Sequence, residues 1–444
     1  MPDLFRLSAT ELVRMLKNKE ISSAELTEMY LSRIEKYGIS DGLNAVGEIN
    51  SDALAQAKEI DSSCNRENLP LCGLPILVKD NIDVVGMRTT AGSFALKDNM
   101  ARYDAPIIKN LRKNGAVILG KTNMTEFANY TARNMPNGYS SLRGQVLNAY
   151  DPAKDPGGSS TGSAVAVSAG LCAAAIGTDT AFSIVGCATD NGVTGYKPPH
   201  GSLSTQGIIP ISHTLDSAGT LTRTLSDAML IYLGMREAGS PLPQILYEKS
   251  EKIRLCVNVF KREDVSQAQL ALYDTVINAL KKDGGTVAEV AHANAPYMGK
   301  IMQYEFKDDL EEYLAQSASK QHTLSEIIGE YEKAPEYMKH GIDTLKKASA
   351  LQDSETYAAA MREREEVRAQ LLEELKNFDA CLMTGPTSIM HFAGLPSLAL
   401  RLGMGADATP RGMILYGADE QRLLRAALTL ERYCGAVPFP EKLA

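Results

Sequence analysis

The sequence predicts one compact α/β body over residues 1–444, and three observations carry that prediction. Strand-like and helix-like segments alternate between residues 74 and 127, the order from which α/β sheets are built. Hydrophobic residues make up 44% of the chain and charged residues 23%, enough apolar material for a sizeable core beneath an ordinary polar surface. No internal repeat and no low-complexity tail interrupts the pattern. The length of 444 residues admits two or three domains as well as one large one, and one body is the economical reading.

Two helices open the chain. Ser8-Ala9-Thr10-Glu11 and Ser22-Ser23-Ala24-Glu25 are capping-box patterns, and Leu12 and Leu16, then Leu26, Met29, Tyr30 and Ile34, follow at helical spacing. Residues 74–83 (LPILVKDNID) form an apolar strand with Lys79 at its end. That lysine either snorkels to water or is held inside by a partner stretch; a buried ammonium is expensive, so only a partner decides for the second. Residues 105–127 read as helix, strand (116–120) and helix, with Asn123-Met124-Thr125-Glu126 as the N-cap of the last.

Residues 157–183 (GGSSTGSAVAVSAGLCAAAIGTDTAFS) are the stretch the chain is organised around. Asp179 is the one carboxylate or basic group in it, and small residues at this density let backbones approach closely and expose N–H groups. A Gly/Ser linker would share this composition. The apolar run between a turn at 157–160 and a second turn at 177–180 instead predicts a buried helix followed by a short strand that delivers Ser183.

Downstream, 192–198 and 207–210 are short strand-like pieces, 253–260 is a strand and 266–282 an amphipathic helix. The segment 236–377, charged and mostly helical beyond 300, is expected to be a covering layer. Residues 378–444 close the body with strands at 380–383, 398–402 and 413–416 and a helix over 420–433.

Composition narrows the function. A net charge of −8 without a basic tract gives no footprint for nucleic acid. No apolar run reaches the roughly 18 residues of a membrane helix, and the first six residues lack the basic and apolar regions of a signal peptide. Seven cysteines without CxxC spacing and six scattered histidines without HExxH give no disulfide framework and no metal motif. The expected compartment is the cytoplasm.

GGSSTGS lacks the Gly-Lys-Ser/Thr ending of a phosphate-binding loop, GxGxxG is missing, and Ser183 does not sit in GxSxG. Serine and lysine chemistry remains. A serine hydroxyl needs a base to take its proton, and a lysine serves if desolvation brings its pKa from about 10.4 towards 7. A second hydroxyl touching both can carry the proton between them.

VKDNI around Lys79, GGSSTGSAVAVSAG from Gly157 and GTDT leading to Ser183 together resemble the amidase signature family. GKTNMTEFANY from Gly120, GQVLNAYDP from Gly144, the stretch 195–219 and Gly394-Leu395-Pro396-Ser397 extend the resemblance, which is strong over residues 8–235 and thin from there to 375. It is nearer to stand-alone amidases than to the glutamyl-tRNA amidotransferase A subunit. The resemblance implies a mixed central sheet with helices on both faces and a Ser–cis-Ser–Lys triad of Ser183, Ser159 and Lys79, the two serines 24 positions apart. It further implies an acyl-enzyme on a small-molecule amide and an oxyanion or substrate site from Thr180, Ala181, Phe182 and Ser160. No cofactor and no metal are expected, no nucleic acid or membrane partner, and the family allows a homodimer.

Three departures stand against the pattern. Ala181-Phe182 replaces Gly-Gly before the nucleophile, so a phenylalanine must adopt a backbone suited to glycine. Ile184 to Ala188 lacks the family's proline, and Cys187 there is either an inert core thiol or a sign of altered chemistry. The link from Pro386 to Gly394 is short where relatives line the substrate pocket. Phe182 and the short link before Gly394 keep one alternative in view, a catalytically weakened binding or assembly protein, and the resemblance itself keeps another, an amidotransferase subunit.

Overall fold

The computed structural model describes residues 3–237, 252–350 and 353–443; the parts of the expected covering layer at 238–251 and 351–352 lie outside the described residues. The strands are β1 (Val46–Ile49), β2 (Pro75–Lys79), β3 (Val117–Thr122), β4 (Tyr139–Ser140), β5 (Gly144–Gln145), β6 (Ala174–Asp179) and β7 (Thr194–Lys197). They continue with β8 (Ser217–Thr222), β9 (Arg254–Asn258), β10 (Thr286–Val290), β11 (Ala380–Met383), β12 (Ser397–Met404) and β13 (Pro410–Tyr416). All but β4 and β5 join one sheet of eleven strands, in the order β1-β3-β2-β6-β8-β7-β12-β13-β11-β9-β10. The sheet is mixed: β3-β2-β6 and β11-β9-β10 run parallel, while the six strands from β6 to β11 pair antiparallel.

Every residue of β2, β3, β6, β7 and β8 is buried. Successive side chains point to opposite faces of a strand, so both faces of this half of the sheet are covered. The cover comes from α1 (Ala9–Lys17), α2 (Ser23–Arg33), α3 (Ala53–Ser62), α4 (Pro106–Lys113), α5 (Thr161–Ser168), α6 (Val185–Asn191) and α7 (Leu225–Met235). The later helices are α8 (Gln267–Lys282), α9 (Met298–Gln316), α10 (Leu324–Lys333), α11 (Asp343–Ser349), α12 (Ser354–Leu375), α13 (Ile389–Phe392) and α14 (Glu420–Leu430). One apolar core runs from Leu4 to Leu443 through residues of both ends of the sheet, so the chain is a single α/β domain. A second cluster, from Phe306, Leu310, Leu314, Ile327 and Tyr331, seats α9 and α10 against Met124 and Phe127.

Local chemistry accounts for most elements. Both capping boxes form at the starts of α1 and α2. α5 carries no charge and is buried on every side, which suits its Gly/Ala/Val/Ser composition.

Four expectations need correction. The second helix expected within 105–127 is only a 3-10 turn at Glu126–Asn129, with Phe127 and Ala128 in the left-handed region. Thr125 does not cap it, because its Oγ1 accepts the N–H of Gly138 and its own N–H goes to the Ser159 carbonyl. The turn placed at 177–180 starts later, since Gly177 to Asp179 pair with β8. Residues 207–210 form a single bridge, Ile208 to Ile82, rather than a strand. The segment 236–377 is not wholly a helical covering layer: β9 falls in the strand expected at 253–260, β10 is an unexpected strand, and the two form one edge of the main sheet.

Candidate active site

β2 and β6 run side by side in the same direction and end together, which brings Lys79 next to the turn that follows Asp179. The loop before α5 lies across both ends. The peptide bond between Gly158 and Ser159 is cis. Lys79 Nζ lies 2.8 Å from Ser159 Oγ, and Ser159 Oγ lies 3.0 Å from Ser183 Oγ. The partner stretch that would hold Lys79 inside is therefore the 157–160 loop together with β6. Thr178 supplies two further contacts to the amine, through Oγ1 at 2.8 Å and its carbonyl at 3.3 Å.

Lys79 is fully buried, and burial pushes its pKa down to about 7 against the opposing pull of Cys187, Asp179 and Asp216. A neutral amine is thus available near neutrality at hydrogen-bond distance from a hydroxyl, the arrangement general-base catalysis needs. Cys187 is buried and its thiol is pushed well up by burial, which makes it a core residue rather than a nucleophile.

The four residues expected around an oxyanion divide into different roles. The N–H groups of Ala181, Phe182 and Ser183 donate to no protein acceptor among the described residues, whereas those of Ile184 and Val185 go to Asp179 Oδ2 at 2.7 and 3.2 Å. Free donors in a row beside Ser183 are what a developing oxyanion requires. The Thr180 side chain is turned away to Asp216 Oδ1, 2.5 Å distant. Ser160 is not a ligand-facing group: its hydroxyl bridges the carbonyl and N–H of Thr178 at 3.0 and 3.2 Å and pins the loop onto β6.

Phe182 has φ of +69°, the left-handed backbone that a glycine would adopt freely. Two neighbours hold it there. Gly186 leaves room for it, since a Cβ at that position would stand 3.0 Å from the Phe182 Cβ. His391 meets its ring edge-on, with centroids 4.6 Å apart.

Sequence reasoning missed His391. It is buried on α13, in the short segment before Gly394, with Nδ1 3.1 Å from Asp179 Oδ1. The two atoms are in contact without hydrogen-bond alignment, and neither ring nitrogen has a hydrogen-bond partner among the described residues. Burial alone would raise the Asp179 pKa, but His391, Lys197 and the Ile184 N–H together hold it at about 2. Lys197, itself buried and pushed down to about 8, donates to the Leu395 carbonyl at 2.8 Å. The short link noted in the sequence therefore packs a histidine behind the turn that carries Ser183.

A cavity of about 820 Å³ opens beside this site and is lined by Tyr103, Lys109, Gln206, Asp216, Asp309 and Tyr313 among others, but not by Ser159 or Ser183. His213, Glu305 and Asp309 bring ligand-type atoms within 4.8 Å of one another near its rim. Those atoms are already engaged: His213 Nδ1 with Asp309 at 2.9 Å, and Glu305 Oε1 with Thr214 Oγ1 at 2.6 Å and Tyr357 at 2.7 Å. No helix of the described residues is long and apolar enough to cross a membrane.

Fold and site together define a mixed-sheet α/β protein with a buried Ser–Ser–Lys hydrogen-bonded chain at the ends of two parallel strands. The chain belongs to the amidase family, whose model matches residues 25–391. It is 32% identical to a probable amidase of Arabidopsis thaliana, over 93% of this chain and 87% of that one. The A subunit of a glutamyl-tRNA(Gln) amidotransferase from Solidesulfovibrio magneticus is 30% identical over 99% of both chains. The crystal structure of native peptide amidase from Stenotrophomonas maltophilia superimposes with a TM-score of 0.88 at 30% identity, covering 98% of each chain. The fold is accordingly that of an amidase-family hydrolase.

Proposed function

We propose that this protein cleaves a small-molecule amide through an acyl-enzyme on Ser183. The observation that carries the proposal is the hydrogen-bonded chain from the Lys79 amine through Ser159 to Ser183. Ser183 Oγ attacks the amide carbonyl while its proton passes to Ser159 Oγ and that of Ser159 to neutral Lys79. The oxyanion meets the N–H groups of Ala181, Phe182 and Ser183. Lys79 returns the proton through Ser159 to the leaving nitrogen, and a water activated by the same path releases the acid. Similarity to a peptide amidase and to a probable amidase supports amide hydrolysis as the reaction.

The test is labelling by a fluorophosphonate serine probe, followed by turnover on a panel of amides and esters. Labelling of the intact protein, lost in Ser183→Ala and Lys79→Ala, is the expected result. No labelling and no turnover would instead favour a binding or assembly protein, the reading motivated by Phe182. A second enzymatic reading, an amidotransferase subunit, draws on end-to-end similarity to such a chain. It requires co-purification with a partner chain and glutaminase activity.

A further inference from the structure

Around Thr178, which contacts Lys79, three buried polar side chains are left with unmet hydrogen-bonding capacity. Thr178 Oγ1 accepts from Lys79 Nζ at 2.8 Å and from Asn81 Nδ2 at 3.1 Å. A hydroxyl that accepts twice still carries its own proton, and no acceptor for it is found among the described residues. Asn81 Oδ1 and Ser217 Oγ are fully buried and have no hydrogen-bond partner among the described residues. Asn81, Thr178 and Ser217, with Thr180 and Asp216, line one cavity of about 10 Å³.

That volume is close to the minimum for one water, and such a water needs two to four polar partners. The lining supplies them with the right polarity: Thr178 offers a proton, Asn81 Oδ1 accepts one, and the Ser217 hydroxyl does either. Asp216 completes the geometry because it lines both this small cavity and the 820 Å³ one. Its Oδ2 takes the N–H groups of Ile211 and Ser212, while its Oδ1 takes only Thr180 and has a lone pair left.

We propose that Asn81, Thr178, Asp216 and Ser217 build a site for a single buried water, and that Thr178 and this water carry the Lys79 proton to Asp216 and the open cavity. The proposal rests on Lys79 being the base, since its purpose is to let the ammonium reach its neutral, active form. In the transfer a Lys79 N–H bond breaks and its proton joins Thr178 Oγ1. The Thr178 proton passes to the water, and one proton of the water joins the Asp216 carboxylate. Ammonium and carboxylate become amine and carboxylic acid, and Asp216 then releases its proton to solvent in the cavity. The two groups are matched in proton affinity, since burial raises Asp216 to about 6, against about 7 for Lys79. The charged groups facing Asp216 are Lys79 on β2, Asp309 on α9 and His213 in its own loop, with Glu305 beside His213, while His200 Nδ1 contacts the Asp216 carbonyl.

The experiment pairs crystallography of the whole protein with NMR of 15N-lysine-labelled protein. Density for one water within hydrogen-bond reach of both Asn81 Oδ1 and Ser217 Oγ is expected. Ser217→Val fills the cavity and is expected to slow exchange of the Lys79 amine protons with solvent about tenfold, as for one lost bridging hydrogen bond. Asp216→Asn, which removes the carboxylate that takes the proton, slows it as well. A missing water, or native exchange in Ser217→Val, overturns the path alone. Failure of the intact protein to react with a fluorophosphonate overturns the base assignment, and the purpose of the path with it.

Discussion

The pH dependence of acylation follows from how deeply Lys79 is buried. An ordinary lysine, with a pKa of 10.5, is neutral in about one molecule in 3,000 at pH 7; with the value lowered to about 7 it is neutral in about half. Burial therefore raises the fraction of competent base on the order of a thousandfold at neutral pH. The rate of fluorophosphonate labelling, or kcat/KM on a responsive amide, should climb about tenfold per pH unit below 7 and level off above it. Lys79→Arg keeps a positive charge at every accessible pH and should remain as inactive as Lys79→Ala throughout. A rate still climbing at pH 9 would show an ordinary amine and refute the argument, as would a flat profile from pH 5.

Further predictions concern what the site costs the fold. Because the folded-state pKa of Lys79 lies below its unfolded value, the unfolded chain binds the extra proton between about 7 and 10.5, and native stability rises with pH across that window. Lys79→Met should therefore be more stable to denaturant than the native protein by an amount on the order of 5 kcal/mol below pH 7, less its lost hydrogen bonds, and the gain should shrink towards pH 10.5. Gly186→Ala places a Cβ 3.0 Å from that of Phe182 and should cost about 1–3 kcal/mol in urea unfolding; the cost should largely vanish beside Phe182→Gly, and a strictly additive double mutant would exclude this contact. His391→Leu leaves the Asp179 charge buried without its partner and should cost about 3 kcal/mol by the same measurement. Asp179 is held at about 2, below its unfolded 3.8, so its stabilisation is full above 3.8 and fades as pH falls through 2; His391→Leu should move that loss to higher pH, as read from acid unfolding.

Much of the fold was legible where the sequence speaks locally. Capping boxes, a charge-free small-residue helix and alternating apolar runs are short-range patterns, and α1, α2, α5, β2 and β6 follow them. The 126–129 turn departs from the helix its sequence suggests because the hydroxyl of Thr125, an N-cap by type, accepts the N–H of Gly138 across the loop instead. The positions of Lys79, Ser159 and Ser183 were likewise readable, each lying in a contiguous motif. The left-handed backbone at Phe182 follows from where a glycine is replaced.

His391 carried no such mark, being more than 200 residues from Asp179 in sequence, and Asp216 lies in the 195–219 stretch with nothing there to show that the loop between β7 and β8 brings it to Thr180. Sequence alone therefore determined which groups could do acyl chemistry, because side-chain type and local spacing are encoded residue by residue. Tertiary structure decided how readily Lys79 gives up its proton, because its proton affinity depends on the exclusion of water by strands and loops from distant parts of the chain.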